Sequence, residues 1–377
     1  MNKKIFIIGP FYPLRGGIAD FNHSLCKALI DLGYDCQAIS FSLQYPKWLF
    51  PGKTQYDPDK RETEFPVSFL INSINPISWH KTVRFIKNHN PIALITAYWI
   101  PFIGISTACI LKKIKKPVKR IALAHNIIPH QKMPADKLIT RFFINQNDEF
   151  IVLSEQVAKD LKAFKPNAKY IVSPHPIYDI FGEAVDRPTA LKKLNLSDGN
   201  YLLFFGLIKK YKGLDLLLQA FAYPDLKNLD VKLLIAGEFY EKKQKYIELI
   251  HSLKIEDKVI LHDYFIPKDK VKYYFSVADA VVQPYRSATQ SGVAAVAYQF
   301  FKPMIVSNVG GLKEIVQDGK TGFIIPEYSP EALAKTILRF YQMKDKIEFE
   351  KFIADKRKEL SWENFAKKIL TLIETNY

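Results

Sequence analysis

A chain of 377 residues is longer than one hydrophobic core usually serves, so we expect two domains of roughly 150 to 200 residues each. The 48% hydrophobic content and ordinary charged fraction indicate a soluble globular protein. Three cysteines, Cys26, Cys36 and Cys109, are an odd number without paired spacing. They imply neither a disulfide framework nor a cysteine-based zinc site, and they fit a reducing cytoplasm.

The formal charge of +16 is unevenly distributed along the chain. Residues 1–180 carry 24 Lys and Arg against 13 Asp and Glu, whereas residues 181–377 carry 30 against 25. Such an excess in the first half suits an anionic partner, whether a membrane surface, a lipid diphosphate or nucleic acid. A solubilising surface explains any single lysine equally well. No nucleic-acid recognition motif accompanies the charge, so we expect no nucleic-acid partner.

The N-terminus is predicted to be a strand over residues 4–8, because its apolar run breaks at Gly9 and Pro10 and is too short for a signal peptide. A helix is predicted over residues 19–32. The glycine pair Gly16 and Gly17 just before it lets backbone approach a phosphate or a sugar, although such pairs often only turn a chain. The loop lacks the Gly-x-Gly-x-x-Gly spacing, which argues against an NAD enzyme.

A strand over residues 35–40 leads into residues 41–65, which are rich in aromatics, prolines and charges. These aromatic side chains suit contact with sugars or a lipid interface, or packing of a loop onto its own domain. Asp57 and Asp59 match an Asp-x-Asp pattern that can hold a divalent metal. Two carboxylates in a polar turn are little evidence, and we expect no metal.

Residues 91–111 contain no charge and precede a basic run, which by length could span a membrane. Pro101 and Gly104 divide the stretch into a strand-like half, residues 92–98, and a helix-like half, residues 102–114. A strand buried on both faces with its packed helix has the same hydropathy, and we favour that interpretation.

A strand over residues 120–124 ends in His125. The carboxyl ends of parallel strands are where open α/β sheets keep their ligands, so His125 could donate to a sugar hydroxyl, or be an ordinary loop histidine. His130 is a weaker second candidate. A strand over residues 149–153 follows, then a helix over residues 156–164 capped by Ser154, and a strand over residues 170–172 closes the domain.

Residues 176–200 have few apolar residues and no clear period, and we predict a hinge there. The second domain begins with a strand over residues 201–206 and a loop that carries Lys209, Lys210 and Lys212 before a helix over residues 214–222. The lysines could be a solvated charge run. Because these lysines lie beside a helix N-terminus, we favour the interpretation that they bind phosphate. The strand over residues 231–236 ends in Gly237 and Glu238.

Residues 278–326 alternate three short apolar strands with helical segments, which predicts parallel strands and crossover helices. After the first strand comes a hydroxyl-rich turn and a helix over residues 293–301, a favourable place for an anion. After the second strand, Gly310 and Gly311 form another turn that leads into a helix, which is predicted to begin at Leu312. Two such turns at one sheet edge predict a nucleotide pocket. The turn residues are Ser287, Thr289, Gln290, Ser291 and Gly292.

This stretch resembles the donor-binding region of family-4 glycosyltransferases, the retaining, metal-independent enzymes of the GT-B fold, and the rest of the chain agrees in order and spacing. The resemblance implies an α/β protein of two Rossmann-like domains whose parallel sheets face each other across a cleft. Residues 1–176 would form the acceptor-side domain and residues 177–360 the donor domain. Residues 361–377 would form a terminal helix, capped by Ser361, that crosses back to the first domain.

The resemblance also implies roles for particular residues. The donor is a nucleoside-diphosphate sugar, no cofactor is needed, and the acceptor is a glycan or lipid-linked glycan at the inner face of the cell membrane. His125 and Lys212 become the catalytic candidates, with Lys212 meeting the charge on the departing phosphate. The predicted donor-binding residues are Gly16, Gly17, Lys209, Lys210, Glu238, Ser287, Thr289, Gln290, Ser291, Gly292, Gly310, Gly311 and Glu314.

The sequence departs from the family pattern at three positions. Ala288 and Val296 stand where the family has two glutamates that contact the donor sugar and the ribose, and Leu207 stands where it has an arginine. Either Gln290, Ser291, Glu238 or Glu314 supplies the missing contacts, or the protein has lost transferase activity. The rival interpretations are a non-catalytic nucleotide- or glycan-binding partner and a sugar-nucleotide epimerase of the same architecture.

Overall fold

The computed structural model describes residues 3–47, 49–50, 54–57, 63–129, 133–178 and 180–374. The chain divides into two compact units, residues 1–174 with 361–377 (unit 1) and residues 175–360 (unit 2). The predicted boundaries lay at residues 176 and 360. Each unit is built on one parallel sheet with helices on its faces, so the predicted α/β class is confirmed.

Unit 1 contains a seven-stranded parallel sheet in the order β3-β2-β1-β4-β5-β6-β7. Its strands are β1 (Lys4–Ile8), β2 (Asp35–Leu43), β3 (Val67–Asn72), β4 (Ala93–Tyr98), β5 (Lys119–Ala124), β6 (Glu149–Val152) and β7 (Lys169–Val172). Its helices are α1 (Gly17–Asp31), α2 (Pro76–His89), α3 (Pro101–Lys112), α4 (Asp136–Asn145), α5 (Glu155–Phe164) and α15 (Trp362–Glu374).

Alternate residues of β1 enter two separate cores, as the two-residue period of a strand requires. Phe6 and Ile8 belong to the core that also holds side chains of α2 to α5. Ile5 and Ile7 belong to the other core, with side chains of α1 and α15. The last helix therefore packs on unit 1, against α1, and Ser361 caps it by accepting from the Asn364 amide at 3.2 Å.

Unit 2 contains a six-stranded parallel sheet in the order β10-β9-β8-β11-β12-β13. Its strands are β8 (Asn200–Phe205), β9 (Val231–Ala236), β10 (Val259–His262), β11 (Ala280–Gln283), β12 (Met304–Ser307) and β13 (Gly322–Ile325). Its helices are α6 (Arg187–Leu194), α7 (Leu214–Phe221), α8 (Pro224–Lys227), α9 (Gln244–Leu253), α10 (Lys268–Val277), α11 (Gly292–Gln299), α12 (Gly310–Ile315), α13 (Pro330–Met343) and α14 (Phe349–Glu359), and 3-10 turns cover Lys210–Lys212 and Glu256–Lys258.

The predicted hinge contains a helix that the sequence pattern did not show. Within residues 176–200, Asp186 caps α6 by accepting from the Thr189 amide at 2.8 Å, and α6 packs on α10. Only Ala190 and Leu191 of this helix are buried. Two apolar residues are too few to produce a visible helical period, which is why the segment resembled a linker.

The uncharged stretch at residues 91–111 forms β4 and α3, as expected, and both are largely buried. No helix in the described part of the chain is both long enough and apolar enough to cross a membrane. Cys26 of α1 and Cys36 of β2 lie side by side in the core as thiols, with sulfur atoms 3.2 Å apart, a pairing that their sequence spacing did not indicate.

Candidate functional site

The candidate site of unit 2 lies at the carboxyl ends of β8 and β11. The chain adds β9 and β10 on one side of β8 and then crosses to β11, β12 and β13 on the other, so the strand order reverses between β8 and β11. Ligands of open α/β sheets bind at this switch point. The loop after β8 carries the lysines, and the loop after β11 carries the hydroxyl-rich turn.

Backbone contacts that only glycine permits hold these loops together. Gly213 has φ +69°, and a side-chain carbon there would lie 2.0 Å from the Pro284 carbonyl oxygen. Gly310 has φ +41°, and a side-chain carbon there would lie 1.7 Å from the Ala288 carbonyl oxygen. The loops after β8, β11 and β12 therefore pack backbone against backbone.

Lys212 is the central charged residue of the site. Its side chain is 93% buried, its Nζ lies 5.6 Å from the centre of the Tyr285 ring, and burial, with a smaller contribution from Lys209, lowers its pKa to about 7. A side-chain carbon at Gly206 would lie 3.2 Å from this Nζ and 3.4 Å from Cγ2 of Val293. The ammonium group and the first turn of α11 thus border the same space.

The other two lysines of the loop occupy different environments. Lys209 is partly buried, which lowers its pKa, and its Nζ lies 5.2 Å from the centre of the Tyr240 ring. Lys210 is exposed and contributes its backbone carbonyl, which accepts from Arg286 Nη1 at 2.7 Å. The structure therefore brings Lys209 and Lys212, rather than all three lysines, toward the protein interior.

The turn after β11 leads directly into α11, which begins at Gly292. Ser291 precedes the helix without a side-chain capping bond, and the amide of Ala294 donates to the Ser291 carbonyl at 3.1 Å. The partial positive charge of a helix N-terminus favours an anion here. Ser287 is exposed, Thr289 is buried, and Gln290 and Ser291 are partly buried. The structure thus places the predicted turn residues around a helix N-terminus beside Lys212.

The second glycine turn has a structural role that its sequence did not reveal. α12 begins at Gly310 rather than at the predicted Leu312. The amide of Gly311 donates to the Ala288 carbonyl at 3.2 Å, so this turn supports the loop after β11. Glu314 of α12 is exposed. The backbone carbonyl of Glu238 accepts from the Ile208 amide at 2.9 Å, which links the loops after β8 and β9.

Arg286 is a residue of this site that sequence reasoning missed. Its guanidinium makes two bonds to the Asp215 carboxylate, at 3.0 and 2.6 Å, and one to the Lys210 carbonyl. Its amide donates to the Tyr211 carbonyl at 2.7 Å. Arg286 therefore ties the loop after β11 to the turn that carries Lys212. Arg286 and Asp215 are 71 residues apart in the sequence, which left no local signal of the pair.

The two positions that lack the family glutamates are packed with apolar side chains. Ala288 and Val296 are both buried. Leu207, at the position of the family arginine, is partly buried in the loop after β8. Neither a carboxylate nor a guanidinium is available at these positions.

In unit 1, Gly16 immediately precedes α1 and Gly17 is its first residue, beside the point where the strand order reverses between β1 and β4. Gly16 has φ +121°, and a side-chain carbon there would meet no atom within 4 Å. His125 follows β5 and is buried, with its ring edge-on to Phe21 at 4.9 Å. His130 and Asp59 lie outside the described residues, and no cluster of three metal-ligating side chains occurs within them.

Two family models match the chain. Residues 15–178 match the Glycosyltransferase Family 4 model, and residues 186–359 match the model of glycosyl transferases group 1. A D-inositol 3-phosphate glycosyltransferase of Streptomyces griseus is 29% identical over 61% of this chain and 54% of its own length. A putative glycosyltransferase of Bacillus subtilis is 30% identical over 44% of this chain and 42% of its own length. The matched region thus spans about half the length of these curated relatives.

Solved structures of low identity share the fold. Sucrose-phosphate synthase from Thermosynechococcus elongatus superposes with a TM-score of 0.76 at 18% identity, over 99% of this chain and 98% of that one. HepE of Anabaena in complex with UDP-glucose gives 0.76 at 16% identity over 99% of both chains. With two family models that together cover most of its length and these structural neighbours, the chain belongs to the family-4 glycosyltransferases of the GT-B fold.

Proposed function

We propose that the protein transfers a hexose from a nucleoside-diphosphate sugar to a hydroxyl of a glycan or lipid-linked glycan, with retention of configuration. The observation that carries the proposal is the buried Lys212 beside the N-terminus of α11. A buried ammonium group is costly unless an anion binds it, and a helix N-terminus favours the same charge. A pyrophosphate satisfies both.

The proposed chemistry follows from this electrostatic arrangement. Breaking the bond between the anomeric carbon and the phosphate oxygen leaves negative charge on the β-phosphate. Lys212, the partly buried Lys209 and the amides of α11 would stabilise that charge, at about 3 kcal/mol for a well-placed donor. The acceptor oxygen would bond to the anomeric carbon on the face from which the phosphate leaves, which retains configuration, and the departing phosphate would accept the acceptor's proton. The mechanism needs no metal or other cofactor.

The family resemblance assigns donor contacts to residues of both units, and we propose the same contacts for this protein. Ser287, Thr289, Gln290, Ser291 and Gly292 would surround the diphosphate, and Glu238 or Glu314 would take over polar contacts that Ala288 and Val296 do not make. Gly16 and Gly17 would face the diphosphate, and His125 would contact the donor sugar. We also propose that the protein works in the cytoplasm, at the inner face of the membrane.

A thermal-shift comparison with UDP, GDP, ADP and their sugars tests donor binding. We expect one nucleoside diphosphate to raise the melting temperature of the wild type and not that of Lys212→Met. Transfer from the matching sugar nucleotide to a lipid-linked glycan, followed by NMR of the anomeric proton, then tests retention. If no nucleoside diphosphate binds, the proposal is wrong.

The buried Ala288 and Val296 favour a second candidate, a non-catalytic nucleotide- or glycan-binding partner, because neither can hydrogen-bond a sugar hydroxyl. Release of free nucleotide separates the two candidates. Slow hydrolysis of one donor supports the enzyme, whereas binding without turnover for every donor and acceptor supports the binding partner.

A further inference from the structure

Unit 1 contains a long segment with almost no negative charge. Residues 67–147, which run from β3 to just before β6, contain twelve Lys and Arg and a single acidic residue, Asp136. The Asp136 carboxylate already accepts from the Met133 amide at 2.7 Å. The basic residues are Lys81, Arg84, Lys87, Lys112, Lys113, Lys115, Lys116, Lys119, Arg120, Lys132, Lys137 and Arg141.

The helices of this segment form one layer on the sheet of unit 1. α3 packs against both α2 and α4, and all three contribute side chains to the same core. α2 buries Thr82, Val83 and Ile86, and it exposes Lys81, Arg84 and Lys87 on its other face.

α4 also exposes basic residues, Lys137 and Arg141. Two neighbours of a central helix lie about 16–20 Å apart at ordinary packing distances. The exposed cations of α2 and α4 therefore form an extended basic surface rather than a single pocket.

Large apolar side chains project at one end of this layer. Ile74 is 54% exposed, Ile77 68%, Met133 64% and Leu138 73%. Ile74 and Ile77 lie at the start of α2, and Met133 and Leu138 lie at the start of α4. Because crossover helices begin where parallel strands end, these side chains gather at the carboxyl edge of the sheet, the edge at which β5 ends before His125.

We propose that this end of the α2–α3–α4 layer docks unit 1 onto an anionic lipid bilayer. Ile74, Ile77, Met133 and Leu138 enter the boundary between headgroups and acyl chains. The exposed Lys81, Arg84, Lys137 and Arg141 meet the phosphates of anionic lipids. The inference builds on the proposed membrane contact of unit 1 and assigns that contact to a defined surface.

The arrangement favours a bilayer over a folded protein partner. A protein groove would require a continuous apolar strip, whereas here pairs of apolar side chains stand on two separate helix ends with cations beside them. Exposed apolar side chains on the same helices as exposed Lys and Arg are the composition that binds the interface of an anionic membrane. A bilayer at this edge would also bring a lipid-linked acceptor to the side of the sheet where the strands end.

Sedimentation of the full chain with vesicles tests the proposal. We expect the wild type to bind vesicles of phosphatidylcholine mixed with phosphatidylglycerol, to bind pure phosphatidylcholine weakly, and to dissociate at high salt. Lys81→Glu/Arg84→Glu should bind the mixed vesicles about tenfold more weakly or worse, since each basic residue near the surface contributes several-fold. Ile77→Ser/Leu138→Ser should lose a similar factor, and its remaining binding should keep its salt dependence.

The matched control is Lys192→Glu/Lys193→Glu, which reverses two exposed lysines on α6 of unit 2 and should bind within about twofold of the wild type. Equal weakening by the control, no preference for anionic vesicles, or unchanged binding by Ile77→Ser/Leu138→Ser would overturn the proposal. The thermal shift with nucleoside diphosphate is measured on every variant. A chain that binds vesicles but no nucleotide would refute the donor reaction and leave this surface standing.

Discussion

The two units share a parallel α/β architecture but place their positive charge in different ways. In unit 2, the switch point of the sheet has Lys212 buried beside the start of α11. In unit 1, the equivalent switch point has Gly16 and Gly17 at the start of α1, and the cations are exposed on α2 and α4.

This difference in the placement of positive charge indicates what each unit is suited to bind. A buried cation strongly favours one anion at one place, because the charge is desolvated whenever the site is empty. Exposed cations each contribute little, and they act together on an extended anionic surface. The same fold can therefore serve a compact phosphate ligand in one unit and a membrane in the other.

Removing the buried charge of Lys212 is the most direct test of this contrast between the two units. We expect Lys212→Met to lower turnover by about 10²–10³, because one preformed electrostatic donor to the leaving phosphate is lost. Initial rates with the donor identified by thermal shift provide the measurement. Lys210→Met, which alters an exposed side chain in the same turn, should stay within about twofold. Full activity of Lys212→Met would show that the charge is not used.

The pH dependence of stability provides a second test. The folded pKa of Lys212, about 7, lies below its ordinary value of 10.5, so between these values the unfolded chain binds more protons and stability rises with pH. Below pH 7 both states are protonated and this contribution is constant. The wild type should therefore gain up to a few kcal/mol relative to Lys212→Met between pH 7 and 10.

Denaturant unfolding of both proteins across this range measures the difference. The comparison with the variant isolates Lys212 from Lys209, whose pKa is also lowered by burial. Parallel curves for the wild type and Lys212→Met would contradict a buried, easily deprotonated lysine. A bound nucleoside diphosphate should reduce the pH dependence of the wild type, because it stabilises the charged form.

Sequence patterns predicted the strands of unit 2 well, because β9 and β13 are short, largely apolar runs between turn residues. The same patterns did not predict β3, α2 or α4. α2 buries only Thr82, Val83 and Ile86 among its basic and polar residues. Such a helix is held by tertiary packing, and its own composition shows only a weak period.

The candidate site was predicted in part. Lysines beside a helix N-terminus are a local signal, which pointed to Lys209, Lys210 and Lys212 together, and the family resemblance then singled out Lys212. The distinction between buried Lys212 and exposed Lys210 depends on the 3-10 turn at Lys210–Lys212, in which Lys212 is the buried residue. The bond from Gly311 to Ala288 joins separate loops, and no local pattern encodes it.

Gly310→Ala tests whether the loops of unit 2 depend on their close backbone contact. The new side-chain carbon would lie 1.7 Å from the Ala288 carbonyl oxygen, in a backbone conformation that alanine avoids. We expect a loss of about 2–3 kcal/mol in the free energy of unfolding. Gly319→Ala has φ +72° without a nearby atom, so it should cost only about 1 kcal/mol. Chemical denaturation measures both, and equal losses would show that the contact does not matter.

Substitution of Arg286 has the smallest expected effect, because Arg286 holds the turn that carries Lys212 and is not itself the buried cation. Arg286→Met removes the bonds to Asp215 and to the Lys210 carbonyl. Lys212 should then lose its fixed position, and the KM for the donor should rise about tenfold, with a smaller change in kcat. Arg286→Lys keeps the charge without the two-pronged geometry and should recover only part of the affinity.

The matched control for Arg286 is Arg339→Met, which breaks another arginine–aspartate pair of unit 2, to Asp318 at 3.1 Å. The side chains of Arg339 and Asp318 are 53% and 40% exposed, and they belong to neither of the loops that carry Lys212 and the turn after β11. We expect its KM to stay within about twofold of the wild type, as for most exposed ion pairs. A KM for Arg286→Met no higher than that of Arg339→Met would mean that Lys212 is held by the loop backbone alone, through Gly213 and its contact with the Pro284 carbonyl.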